Sequence, residues 1–433
     1  MNQVHLLTPA QALAYIQSHC EYFPAGAQLE ASEIASDLHS VEGYVNNILR
    51  IRDSHTGRSL IYKQMSLGVK GIELTDPGQA LSLDRLKVEV GAFKLWDAIC
   101  PGCVPQVYAW DEARSILLME DLAQMKLARF ELARRKQFPH FASQVGEFLG
   151  RSAFYTSDLY LEPLEKKALV QAFANPRQRV LLERLIFDRL LLRPPDDPLN
   201  PYFEADLQAF LVEPPVVLEL LKLKEIYLQR AQSLIHNDFH TANIFLSQDT
   251  MKVIDAEMAF VGPTGYDLGQ LIGSLMLSCL SLQVLDDVSL VEKIEYETYL
   301  LRTLEQIAHQ FERSFAAAYV EHARPEYRAC PGYLDDTLRR ILQDAAGYAG
   351  MLAVSRLYDL GMSYDFARIP DLRRRAAGQR LVLRSARRLL LEREQFTKIE
   401  DISAALKQIK SEFKIAALVT QQLTSRHITQ GDE

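Results

Sequence analysis

Two aspartates and an asparagine, Asp238, Asn243 and Asp255, are the residues of this chain whose types and order best suit chemistry. They fall in LIHNDFHTANIFLSQDTMKVIDAEMAFVGPTGYDLG, Leu234 to Gly269. Asp238 follows a short apolar strand, Asn243 comes five positions later, and Asp255 closes the next hairpin directly after Val253-Ile254. This is the order of a phosphoryl-transfer loop followed by a metal-binding aspartate. A hydroxyl nucleophile needs a carboxylate in hydrogen-bond reach to take its proton. Mg²⁺ takes hard oxygen ligands, and one or two from the protein suffice because a triphosphate and water supply the others. Asp238 is therefore expected to be the base and Asp255 a metal ligand, with Asn243 or Glu257 as the second. His236 and His240 stand four apart in a loop, not on a helix, and are expected to brace the catalytic turn instead of binding zinc. Asp267, in Gly265-Tyr266-Asp267-Leu268-Gly269, is expected to cap the following helix or the catalytic loop.

The first half of the chain holds the complement. Lys63, in the strand Leu60-Ile61-Tyr62-Lys63-Gln64, is suited to bridging two phosphates, and Glu89 on the next helix to pairing with it. Upstream, the turn Val41 to Asn46 contains Gly43, so Gly43 and Asn46 are candidates for a phosphate loop. Met119-Glu120-Asp121-Leu122 falls between two halves of different character. There, backbone groups of Glu120 and Leu122 are placed to hydrogen-bond an adenine, with Asp121 orienting the hinge.

The elements that must position these groups are legible in the pattern. Thr8 and Pro9 open a helix that runs through Leu13 and Ile16. From about Glu33 to Met65 the signals are strands, with a hairpin turning at Asp53 to Gly57. Ser82 to Ala98 reads as a helix with Leu83, Leu86, Val90, Phe93 and Leu95 apolar. Val107 to Trp110 and Ser115 to Met119 read as two more strands. Beyond Asp121 the chain is mostly helix: 141–157, 165–174, 180–192, 204–210 and 215–231, then from Tyr266 onward. A β island, with strands at Ser233 to His236, Ile244 to Leu246 and Lys252 to Asp255, interrupts the helices. The expected architecture is α+β and bilobal: a small β-rich lobe over 1–122, a mainly helical lobe over 123–399 and a helical extension over 400–433.

Composition excludes several classes. With 433 residues, 48% of them apolar, the chain has ample core, and 20 Gly and 18 Pro exclude collagen-like or low-complexity character. Its 48 Lys and Arg against 56 Asp and Glu leave a net charge of −8, which argues against a nucleic-acid partner. An anionic ligand must then be met by local cations or a metal. Five scattered cysteines suit a reducing compartment, and Cys100-Pro-Gly-Cys103 reads as a tight turn ahead of a metal or redox pair. No signal peptide is expected. The uncharged run Leu268 to Leu285 carries Gln270, Ser274, Ser278 and Ser281 at helical spacing, as a buried helix does and a lipid span does not. The reading is of a cytoplasmic chain without a membrane partner.

At the quoted residues the chain resembles the methylthioribose kinases, a branch of the aminoglycoside phosphotransferase and choline kinase-like fold. That family reads HGDLHTGS and then DPEFAFYGPMGFDIG where this chain has HNDFHTAN and DAEMAFVGPTGYDLG. The family's DGNLN is similar to Glu42 to Asn46, its VKQA to Tyr62 to Met65, and its DR…E helix to Asp84, Arg85 and Glu89. MEDL stands at Met119 to Leu122 and TSDL at Thr156 to Leu159. The resemblance spans about Thr8 to Glu394. It implies a protein-kinase-like fold and ATP- and Mg²⁺-dependent phosphorylation of the 1-hydroxyl of 5-methylthioribose in methionine salvage. It further implies Asp238 as base, Asp255 and Glu257 on Mg²⁺, Arg356 on the sugar, and a homodimer. Tyr44 stands where the family has Asn, Asn243 where it has Ser, and Ser355 where it has the first of two arginines. Ser355 opens the alternative of another small pentose or amino alcohol as acceptor. A nucleotide-binding pseudokinase, the distant alternative, would have lost Lys63, Asp238 or Asp255, and all three are present.

Overall fold

Thr8 caps the first helix, α1 (Pro9–His19), through a capping box with Gln11, and Pro9 takes the first helical position. Its inner residues, Ala12 and Ile16, pack on Leu49, Ile51, Leu60, Tyr62, Ile116 and Leu118. Those six side chains line one face of an antiparallel sheet of β1 (Leu29–Glu33), β2 (Asn46–Asp53), β3 (Ser59–Met65), β4 (Val107–Asp111) and β5 (Ile116–Glu120). The strand order is β1-β2-β3-β5-β4. Between β3 and β4 comes α2 (Arg85–Ile99), which buries Leu86, Val90, Phe93 and Trp96. These join Met65 and Leu117 in a larger core shared with the helical part of the chain. The computed structural model describes residues 5–34, 46–66, 82–192, 199–358 and 361–413. Gly43 and its turn lie outside the described residues.

Among the described residues the expected strands and helices are present with shifted ends; 35–45 of the expected strand region and 414–433 of the expected helical extension lie outside them. The helix expected from Ser82 begins at Arg85. β1 precedes the expected strand region; its burial alternates over Leu29 to Ser32, with Leu29 and Ala31 half-buried and Glu30 and Ser32 exposed.

After β5 come β6 (Lys126–Leu127), α3 (Ala128–Ala133), α4 (Phe141–Tyr155), α5 (Pro163–Ala172), α6 (Pro176–Leu182), α7 (Arg189–Leu192), α8 (Glu204–Leu211) and α9 (Pro214–Gln229). A π-helical stretch, Glu183–Asp188, joins α6 to α7. The β island is β7 (Ser233–Ile235), β8 (Ile244–Leu246), β9 (Met251–Val253) and β10 (Phe260–Gly262). It forms two small sheets, β10-β7 and β6-β8-β9. The remaining helices are α10 (Gly265–Ser281), α11 (Leu290–His322), α12 (Pro325–Arg328), α13 (Tyr333–Ser355), α14 (Tyr364–Ala367) and α15 (Leu372–Leu391). The fold is thus α+β and bilobal.

Helix α10 is the uncharged run. With the turn that follows, Gly265–Val284 is long and apolar enough to cross a membrane, and 89% of it is buried inside the fold. Its serines satisfy themselves on their own helix: Ser274 Oγ donates to Gln270 O at 3.0 Å and Ser278 Oγ to Ser274 O at 3.3 Å. Helix α13 crosses close enough that a Cβ on Gly269 would sit 2.7 Å from Ala345 O and from Tyr348 Cβ. Only glycine permits that approach. The helix over 399–413 buries Ile399, Ile402, Leu406 and Ile409 in the large core. The arginines of α15 are met by acids, Arg387 by Glu213 at 2.9 Å and Arg388 by Glu392 at 2.9 Å, as a solvated helix face requires. Cys100 to Cys103 is a turn: Cys103 N–H donates to Cys100 O at 3.1 Å, and Gly102 takes φ +82°. All five cysteines are free thiols.

Candidate active site

The catalytic loop is held from behind by α10. Asp267, in its first turn, accepts the backbone N–H groups of His236 at 2.6 Å and Asn237 at 3.0 Å. The Gln270 side-chain oxygen accepts from Phe239 N–H. Asp267 thus caps the catalytic loop, one of its two expected roles. Burial pushes its carboxyl up to about 6, against the pull of His236 and the two amides, so it is ionised at neutral pH. The grip lets Asn237 adopt φ 69° and turns Asp238 outward. Asn237 is anchored in turn by Tyr227 Oη at 3.1 Å and by Met258 O at 3.1 Å.

Both histidines brace this turn. His236 stacks on Trp96 with ring centroids 5.9 Å apart and donates Nε2–H to Ile254 O at 2.7 Å. His240 Nε2 lies 3.2 Å from Asp238 Oδ1. Arg356 Nη2 reaches the same oxygen at 3.2 Å. Asn243 Nδ2 donates to Asp238 O at 2.8 Å and Oδ2 at 3.3 Å. Burial would raise the Asp238 carboxyl, but His240, Arg356 and His236 outweigh it and hold it well below the usual range. The group is a carboxylate, ready to accept a proton.

Across the cleft, Lys63 on β3 reaches both oxygens of Glu89 at 2.8 Å and Asp255 Oδ1 at 2.6 Å. Burial would lower the ammonium, yet Asp255, Glu89 and Glu257 together hold it far above its ordinary value. Burial pushes Glu89 up to about 7 in spite of Lys63. Asp255 sits at φ 62° after β9, and its side chain is 40% exposed. Burial opposes its ionisation, but Lys63 and His236 hold its carboxyl below the usual range. Glu257 is instead buried, its Oε2 taking Arg85 Nε at 3.1 Å and Asn46 Nδ2 at 3.1 Å. Asn175 holds the backbone here through Glu257 O at 3.0 Å and Ala259 O at 3.1 Å.

Oxygens of Glu89, Asp255 and Glu257 lie within 4.8 Å of one another. Lys63 holds both oxygens of Glu89, so the hard carboxylate of this cluster that is accessible to Mg²⁺ is Asp255. Asn243, the other expected ligand, gives its amide nitrogen to Asp238.

At the junction of the lobes, Asp121 is clamped by Arg50 at 2.7 Å and 3.1 Å and by Ser59 Oγ at 2.7 Å, so it orients this segment. The Glu120 carboxylate pairs with Lys252 at 2.7 Å and accepts Gln106 N–H at 3.0 Å. Glu120 N–H donates to Gln106 O at 2.9 Å, so what it can offer a nucleotide is its carbonyl. Leu122 O accepts Met125 N–H at 2.9 Å.

Contacts thus join Asn46, Lys63, Glu89, Asp255 and Glu257 in one cluster and Asp238, Asn243 and Arg356 in a second, near enough for the Asp238 charge to act on Asp255, while Glu120 and Leu122 lie at the end of β5. Sequence reasoning passed over Arg85, Asn175, Asn237 and Gln270 as site-forming residues. Arg85 stood in the DR pair and Gln270 in the polar stripe of α10, and both signals were readable. Ser355, which replaces an arginine of the resembled family, is buried and donates Oγ to Leu352 O at 2.8 Å.

Residues 96–285 match the phosphotransferase enzyme family. The methylthioribose kinase of Geobacillus kaustophilus is 35% identical over 88% of this chain and 91% of its own length. That of Yersinia enterocolitica is 28% identical over 94% of this chain and 100% of its own. Among solved structures, a Plasmodium vivax ethanolamine kinase superposes with a TM-score of 0.45 at 11% identity, covering 88% of this chain and 89% of that one.

Proposed function

The chain belongs to the methylthioribose kinase family, and on that premise we propose that it transfers the γ-phosphoryl group of ATP to the 1-hydroxyl of 5-methylthioribose. The observation that supports this chemistry is an ionised Asp238, held by His240 and Arg356, near the cluster of Lys63, Glu89 and Asp255.

In this reading the acceptor hydroxyl gives its proton to Asp238 as its oxygen bonds to the γ-phosphorus. The bond from that phosphorus to the bridging oxygen breaks, and ADP leaves. Lys63, kept charged and positioned by Glu89, meets the phosphates. Asn46 and Gly43 are the proposed phosphate contacts, while Glu120 and Leu122 offer backbone groups to adenine. Asp255, with Asn243 or Glu257, would hold Mg²⁺, which neutralises triphosphate charge when bound. Arg356 both orients Asp238 and is placed to bond the sugar. Catalysis is positioning and charge neutralisation. Residues 1–122 would carry the nucleotide, and 123–399 the catalytic loop and acceptor, with 400–433 as an extension. The family resemblance supports a cytoplasmic homodimer serving methionine salvage.

Ser355 favours one second reading. Its hydroxyl is turned onto its own helix, so the arginine expected there has no counterpart, and another small pentose or an amino alcohol could be the acceptor. A coupled ADP-release assay with methylthioribose, ribose, 5-deoxyribose, choline and an aminoglycoside decides. Turnover with methylthioribose is expected; silence with it and turnover with another acceptor would establish the second reading.

A further inference from the structure

Helix α3, hidden in the sequence pattern, brings Arg129 to the catalytic loop: its Nη2 lies 3.3 Å from His240 Nδ1. The same ring nitrogen faces the backbone N–H of Ala242 at 3.2 Å. The opposite nitrogen, Nε2, faces Asp238 Oδ1 at 3.2 Å. We propose that Arg129 is a positioning residue for the transfer: it holds His240 as the Nε2–H tautomer, whose donation to Asp238 Oδ1 leaves Oδ2 as the atom that takes the acceptor's proton.

The assignment follows from which groups can donate. A guanidinium and a backbone amide are donors only, so the nitrogen they both face must be the bare one. The proton is then on Nε2 and points at a carboxylate, which is an acceptor only. The other tautomer would set N–H against two donors on one side and a lone pair against a carboxylate on the other. Double protonation fails on the same Nδ1 contacts.

The consequence lies in the occupancy of Asp238. Its Oδ1 receives two donors, His240 Nε2 and Arg356 Nη2, both at 3.2 Å. Among the described residues its Oδ2 receives only Asn243 Nδ2, at a long 3.3 Å. A carboxylate oxygen has two lone-pair directions, so the open one is on Oδ2. The side chain is 26% exposed, enough for a small hydroxyl to reach it. As the O–H bond breaks, its proton goes to Oδ2 while the freed pair forms the bond to the γ-phosphorus.

The inference rests on the kinase reading of Asp238, and its test separates the two. In ¹⁵N-histidine-labelled wild-type protein without substrate, the His240 ring should show a protonated Nε2 and a bare Nδ1. Arg129→Met should lower kcat about tenfold or more with KM for ATP and acceptor within about twofold, and Arg129→Lys should recover part of it. In a His240→Gln background, where an amide N–H stands in for Nε2–H, Arg129→Met should change kcat less than about twofold. A proton on Nδ1 in the wild type overturns the proposal even if the variants fail to fold. A raised acceptor KM at constant kcat, or an undiminished loss in the His240→Gln background, overturns it as well. Failure of the kinase reading shows separately, as no ADP release from wild type with any acceptor.

Discussion

Arg85→Met removes the strut between the two halves of the cleft. Arg85 is wholly buried on α2, and it reaches Glu257 Oε2 at 3.1 Å, Asn46 Oδ1 at 2.7 Å, Ser66 O at 2.7 Å and Ser82 O at 3.2 Å. Methionine keeps much of the stem and none of the donors. Glu257 would remain buried with Asn46 Nδ2 at 3.1 Å and Lys63 Nζ at 3.8 Å as its nearby donors. Removing one partner of a buried ion pair costs about 3–5 kcal/mol, because the other charge is left uncompensated. Better packing of an apolar stem offsets part of this, so a loss of about 3 kcal/mol is expected. Against a total stability of about 5–15 kcal/mol that is a large fraction, readable by urea unfolding at neutral pH. KM for ATP should rise together, because Asn46 and Glu257 border Lys63. Glu257→Gln removes the stranded charge, so the double variant should be less damaged than the two single losses added, with a coupling of about 2 kcal/mol. A loss below about 1 kcal/mol, with additive behaviour in the double variant, would refute the reasoning.

Asp238→Asn should lower kcat about 100-fold or more while ATP binding by calorimetry is unchanged; wild-type turnover would sink the base assignment. EDTA should stop transfer and added Mg²⁺ restore it, whereas activity persisting without divalent cation removes the metal from the mechanism. Lys166 donates to Thr156 O at 2.9 Å and Gln232 O at 2.7 Å, and burial pulls it down from 10.5 to about 8 against the attraction of Asp158. The unfolded chain then binds the extra proton between the two values, so the cost of the buried charge is full below about 8 and is relieved as pH rises above it. Wild type should gain stability on Lys166→Met over that window by up to about 1.4 kcal/mol per pH unit; a constant gap in urea midpoint contradicts it. Gly269→Ala should cost about 1–3 kcal/mol, since its Cβ would overlap α13, and an unchanged thermal midpoint would show that α13 can give way.

Much of the fold was legible because it is locally encoded. Thr8, Pro9 and Gln11 specify a helix start within four residues. The Asp53 to Gly57 turn sets a hairpin between neighbouring segments. Among the elements that escaped notice, β6, α3 and β10 are two, six and three residues long, and β6 and β10 exist by pairing with β8 and β7. Strands this short have no periodicity to read; a distant partner makes them.

The candidate site divides along the same line. The order Asp238, Asn243, Asp255 was readable from residue type and spacing, since loop and hairpin are adjacent, and the pairing of Lys63 with Glu89 was readable only in the light of those aspartates. The sequence also determined that an acidic chain must neutralise a triphosphate locally, and it supplied Lys63 and the carboxylates to do so. Only tertiary structure decided that Lys63 meets Asp255 across 192 residues, Arg85 meets Glu257 across 172, and Arg129 meets His240 across 111. Those pairs form because α2 docks between the sheet and the helical core, and because α3 lies on the catalytic loop. Nothing local encodes such a contact: it follows from packing the whole chain, which brings the charges together and excludes the water that would otherwise screen them.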